Sequence, residues 1–117
     1  MIKFTCEKAL LKNAISTAGK VVAPKSSIPT LEGLLLQANA ELLTVSGYNM
    51  QTGIRTKVSV NVLEPGEIVM PTRLFSDIVT RMPDDVITFS CDEHLVARLT
   101  CGNADIEIPG LAAEEYP

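Results

Sequence analysis

The sequence predicts an α+β domain in which one β-α-β-β-β unit is used twice, its two helices packed on antiparallel sheet. Two stretches carry the same strand-to-helix text. After Phe4 and Cys6, apolar residues fall at Leu10, Leu11, Ala14, Ile15 and Ala18; after Glu67–Met70 they fall at Leu74, Phe75, Ile78, Val79 and Met82. Both series run i, i+1, i+4, i+5, i+8, one face of an α-helix. Each residue of the first lies 64 positions before its counterpart in the second. After each helix the apolar period drops from helical to two, the signature of half-buried strands. A repeat of this kind outranks any local propensity.

The elements follow in order. Ile2 to Cys6 is the first strand, and the first helix runs from about Glu7 to Gly19, where Gly19 is a plausible C-cap. Lys20 to Pro29 holds two prolines, two serines and two lysines and reads as a loop. The second copy has no equivalent, passing through Pro83, Asp84 and Asp85 alone, so the insertion reads as functional. Leu34, Leu36 and Ala38 alternate, and Leu43 and Val45 lead to Gly47. Ile54, Thr56, Val58, Val60 and Val62 form one long strand with Arg55, Lys57, Ser59 and Asn61 on its other face.

Glu64-Pro65-Gly66 turns the chain into the second copy. Pro71 and Thr72 start its helix, threonine as a cap, and Pro83 ends it. Ile87, Phe89 and Cys91, then Leu95, Ala97 and Leu99, then Ala104, Ile106 and Ile108 give three more strands. Ser46-Gly47 and Cys101-Gly102 are matched as equivalent points, 55 apart. Leu111 to Pro117 is aperiodic and reads as a linker cut short, which would leave the strand Asn103 to Ile108 as an open sheet edge.

At 117 residues the chain is one domain, and 46% apolar residues support an ordinary core. No apolar run approaches a membrane span and no signal peptide is present, which points to the cytosol and no membrane partner. Cys6, Cys91 and Cys101 fit no CxxC or zinc spacing and read as buried thiols. His94 lies in a turn, the acid pairs Asp84-Asp85 and Asp92-Glu93 lie in turns, and no nucleophile elbow or phosphate loop occurs. No catalytic residue, metal ligand or cofactor is assigned.

Charge is unevenly placed. The net charge is −4, yet segments 7–25 and 71–82 hold Lys8, Lys12, Lys20, Lys25, Arg73 and Arg81 against only Glu7 and Asp77. The remainder holds four basic and twelve acidic residues. Basic stripes on both helices and a basic loop after the first would grip phosphates without reading bases.

Four runs, MIKFTCEKALLK, SIPTLEGLLL, VMPTRLFSDIV and PGLAAEEYP, resemble the N-terminal domain of the bacterial DNA polymerase III beta subunit, the sliding clamp. The resemblance covers the whole chain. It implies a DNA-clamp fold over residues 1–117, the first of three such domains, with 111–117 opening an interdomain linker. It implies a non-catalytic processivity factor: a ring of two subunits joined head to tail, helices inward, encircling double-stranded DNA and tethering DNA polymerase III.

Carried onto this sequence, Lys25 falls where the family places a basic loop residue on DNA, and Arg73 matches the arginine opening the second helix. Lys8, Lys12 and Lys20 are helix-face candidates, and Arg81 stands one position from the usual basic site. The resemblance also assigns Leu74, Ile78, Asn103, Ile106 and Ile108 to the contact with the second subunit. Leu74 and Asn103 replace common basic residues there, which implies a more apolar interface. The cleft for polymerase and clamp loader would lie in domains absent from this chain. The alternative is a free-standing α+β module that binds peptide by strand addition at 103–108.

Overall fold

The computed structural model describes residues 1–23 and 25–117. The repeated unit is present as β1 (Ile2–Glu7), α1 (Lys8–Gly19), β2 (Gly33–Asn39), β3 (Leu42–Tyr48) and β4 (Gly53–Ser59). The second copy is β6 (Gly66–Pro71), α2 (Thr72–Arg81), β7 (Val86–Cys91), β8 (Val96–Cys101) and β9 (Ala104–Pro109), with a short β5 (Asn61–Glu64) between them. Single 3-10 turns occupy Pro29–Glu32 and Ala113–Glu115.

The expected antiparallel layer is two sheets, ordered β5-β1-β7-β8-β9 and β4-β3-β2-β6. Each sheet takes the first strand of one copy and the other three strands of its twin: β1 pairs β7, and β6 pairs β2. This exchange explains the repeat's register. Cys6 lies opposite Ile87 and its equivalent Met70 lies opposite Leu34. The inner faces of both sheets and one face of each helix close a single core. At its centre Phe4 of β1 stacks on Phe89 of β7 at 5.0 Å, and Phe75 of α2 meets Phe89 edge-on at 5.9 Å. The surface of 6442 Å² is close to the ~6,200 Å² of a compact monomer of this mass, so the chain completes its core by itself.

The long strand over 54–62 is broken. It leaves one sheet after Ser59 and enters the other at Asn61, because Val60 is buried at the crossing and its N–H donates to Glu41 O at 3.1 Å. The second copy makes the same crossing. Gly110 N–H donates to Leu95 O at 2.7 Å, and both acceptor residues sit in the left-handed region, Glu41 at φ 64° and Leu95 at φ 63°. Leu111 then bridges to Val69, as Asn61 pairs with Thr5.

Equivalent points on β3 and β8 are therefore 54 apart, pairing Gly47 with Cys101, rather than 55. Gly47 is buried near the end of β3, where a Cβ would collide with the Ala18 carbonyl oxygen; Gly102 is a turn residue at φ 57°. The two glycines answer different needs.

Several local expectations also change. Gly19 is the last helical residue and Lys20 the cap, in ordinary αR geometry. A Cβ on Gly19 would stand 3.3 Å from Thr72 Cγ2, so close helix packing accounts for the glycine. Pro71, not Thr72, is the N-cap of α2; the Thr72 hydroxyl is buried without a partner among the described residues. The segment 111–117 is docked on the fold. Thr30 Oγ1 donates to Glu115 O at 3.0 Å, and the Tyr116 hydroxyl donates to Ser46 O at 3.4 Å. A linker reading from aperiodicity alone misses these contacts.

Candidate nucleic-acid interface

The two helices lie side by side and antiparallel. Lys8 N–H, at the start of α1, donates to Asp85 O just beyond α2 at 3.0 Å, while Gly19 at the end of α1 meets Thr72 at the start of α2. Apolar residues on one face of each helix hold this pair on the core: Leu11, Ala14, Ile15 and Ala18 from α1, Phe75 and Val79 from α2. The opposite faces are left to solvent; of the sequence-predicted cations, Lys8, Lys12, Arg73 and Arg81 belong to the helices, Lys20 caps α1 and Lys25 lies in the loop beyond it.

Lys12, Lys20, Lys25, Arg73 and Arg81 are exposed, and Lys8 is half-buried. None of the six takes part in an ion pair; the one salt bridge among the described residues joins Arg98 to Asp105. Antiparallel packing sorts them into two ends. Lys20 and Arg73 line one groove of about 620 Å³ between the end of α1 and the start of α2, with Glu32 and Asp77 as its acids. Lys8 and Arg81 lie toward the other end, where Asp84 and Asp85 follow α2. Each end therefore pairs two cations with two acids. A strand of phosphates is the anion such a layer suits: long mobile cations in a row, with no fixed donor set to select a base.

The residues assigned to a subunit contact divide. Leu74 is 46% exposed and Ile78 partly so. Both were also expected on the apolar face of α2, and Leu74 leaves it, as does its counterpart Leu10 at 45%. Ile106 is half-buried on β9, an edge strand as expected. Ile108 is corrected: its side chain is wholly enclosed in the core and can touch no neighbour. Asn103 is exposed in the turn before β9 and contributes nothing to the strand's ladder.

The sequence reading did not name β4 as an edge strand. β4 ends its sheet as β9 ends the other, a fact of strand order that alternation alone does not reveal. The thiols are chemically quiet. Cys6 is pushed up to about 11 by burial and by the neighbouring Glu7 carboxylate. Burial likewise raises Cys91 and Cys101, so all three stay protonated at neutral pH. His94 is exposed in its turn, and its backbone N–H donates to Asp92 Oδ1 at 2.9 Å.

A doubled β-α-β-β-β unit with an antiparallel helix pair on two sheets defines the DNA-clamp fold. The chain matches the family described as DNA polymerase III beta subunit, N-terminal domain, over residues 2–117, and it belongs to that family. It is 28% identical over 116 residues to the beta sliding clamp of Micrococcus luteus, covering 99% of this chain and 37% of that protein. It is 29% identical over 118 residues to the beta sliding clamp of Synechococcus elongatus, covering 99% of this chain and 32% of that one.

Among solved structures it is similar to the DNA polymerase sliding clamp of Bacillus subtilis, with TM-score 0.96 and 27% identity over 99% of this chain and 33% of that one. The DNA polymerase III beta chain of Streptococcus pneumoniae gives TM-score 0.95 and 27% identity, over 100% and 33%. The chain spans about a third of the length of these relatives.

Proposed function

We propose that this chain is the first of three clamp domains in a sliding clamp of DNA replication. The parent forms a two-subunit ring, joined head to tail, that encircles duplex DNA in the cytoplasm and tethers the replicative polymerase. Its role is non-catalytic. The observation that supports the reading is the helix layer itself, where Lys8, Lys12, Lys20, Arg73 and Arg81 stand on or at the ends of the two helices, outside any ion pair among the described residues, in a domain whose net charge is negative. A ring needs weak, sequence-blind contacts that slide, and topology rather than affinity holds the DNA.

In this arrangement Lys25 and Arg73 touch phosphates first, with Lys20 beside Arg73, then Lys12. Lys8 and Arg81 extend the contact at the other end of the helix pair. β9 is the joint to the second subunit, its backbone edge pairing with a strand of the partner while Ile106, Leu74 and Ile78 give apolar contact. Segment 111–117 leads to the next domain. The polymerase and clamp loader bind elsewhere in the parent.

Replacing both Lys25 and Arg73 with glutamate in the full-length parent should reduce loading and retention on circular DNA about tenfold or more, a loss of roughly one phosphate contact per charge. Retention equal to wild type removes the basic-lining assignment. Ile106→Asp should weaken dimerisation of the same parent; unaltered sedimentation would remove β9 as the joint.

A further inference from the structure

One acid of the helix-end groove is tied to the basic loop rather than to the cations beside it. Glu32 lines that groove with Lys20 and Arg73, yet among the described residues it forms an ion pair with neither. Its carboxylate goes to the loop backbone instead: Ser26 N–H donates to Glu32 Oε2 at 3.3 Å, one residue past Lys25. The Ser26 hydroxyl in turn accepts from Ile28 N–H at 3.1 Å, and Leu31 N–H donates to Ile28 O at 3.0 Å. The end of the loop is thereby laced onto the turn Pro29–Glu32 that follows it. That turn is a firm anchor. Thr30 and Leu31 are buried, Thr30 Oγ1 donates to Glu115 O at 3.0 Å, and Gly33 after Glu32 opens β2, an inner strand of its sheet. Ser26 is half-buried against this anchor, while Lys25 beside it is exposed.

We propose that Glu32 is a positioning residue for DNA contact: its carboxylate holds the Ser26 amide and so fixes the backbone that presents Lys25. An acid next to a phosphate-binding surface by itself repels phosphate. Glu32 opposes that effect through the loop, because a cation carried on a tethered backbone loses less freedom when it meets its anion. The ionised oxygen is also a stronger acceptor for an amide than a neutral one. This rests on the reading of Lys25 as a phosphate contact and adds the group that holds it in place.

The test uses the full-length parent loaded on circular DNA. Glu32→Ala should lower loading about threefold, the size of one modest hydrogen bond. Glu32→Gln keeps an acceptor oxygen and should hold loading at or above wild type. In a Lys25→Ala background Glu32→Ala should have no further effect, since both act through one contact. Amide exchange on the 117-residue chain should show Ser26 N–H faster in Glu32→Ala than in wild type, and restored in Glu32→Gln. Loading raised alike by alanine and glutamine makes Glu32 a repelling charge and overturns the proposal. An equal loss in the Lys25→Ala background overturns it too, because the effect then runs through the fold or another cation. Unchanged Ser26 exchange in Glu32→Ala overturns the tether itself. If Lys25→Ala alone leaves loading at wild type, the reading of Lys25 as a DNA contact fails and the proposal falls with it, whatever Ser26 does.

Discussion

The two copies of the unit keep the same buried skeleton and disagree almost everywhere else. Leu11, Ala14 and Ile15 of α1 match Phe75, Ile78 and Val79 of α2, and the crossings at Val60 and Gly110 make the same hydrogen bond. The differences lie at the surface: a long basic loop against a tight turn, a basic edge strand against an acidic one. A folded unit fixes its interior, whereas each exposed position is free to answer to a different neighbour. Gly47 and Cys101 show one place where the interiors part. The glycine lets the end of α1 come down on β3, while Cys101 faces the carbonyl of Pro83 beyond α2 at 3.5 Å.

The comparison can be broken most severely at its shared centre. Phe89→Ala removes the ring that meets both Phe4 and Phe75 and should cost about 3–5 kcal/mol in denaturant unfolding. A loss under about 1 kcal/mol would mean the copies do not share one core. The next effect should be asymmetric. Gly47→Ala drives a methyl into the Ala18 carbonyl and should cost about 1–3 kcal/mol. Cys101→Ala at the matched position should cost less, and equal losses would contradict the close approach of α1 alone.

Smaller still are the exposed leucines. Leu10→Ser and Leu74→Ser should each change stability by under about 0.5 kcal/mol, although Leu74→Ser should weaken assembly of the parent. The smallest effect is electrostatic. The Arg98 guanidinium holds the Asp105 carboxyl below the usual carboxylate range. That pair's contribution is present above the unfolded carboxylate pKa and fades as pH falls through the lower folded one. Arg98→Ala should raise the Asp105 midpoint toward its ordinary value in an NMR titration, and an unmoved midpoint would refute the pairing.

Much of this was legible in the residues. Helical period and the 64-residue offset located both helices, because burial on one face leaves a periodic trace. The last strand, expected at 103–108 and observed as Ala104–Pro109, was legible for the same reason. What stayed hidden has a physical cause in each case. The break at Val60 leaves the alternation intact, since both sheets demand a buried residue every second position. Ile108 looked available because alternation says which face a residue takes, not whether that face is covered. The docking of Tyr116 depends on a single contact far along the chain, which no local pattern encodes. The cations of the helix layer were found by charge distribution, but their division into two ends required the antiparallel helix pairing.

The central claim, that the helix layer faces DNA and the sheets face away, is open to a direct measurement. A photoreactive side chain placed at Ser16, exposed on α1, or at Ser90, on the outward face of β7, can be tested in the full-length parent loaded on closed circular DNA. Cross-links to DNA should form from position 16 and fall to background from position 90. Cross-linking from position 90 with none from position 16 would contradict the account.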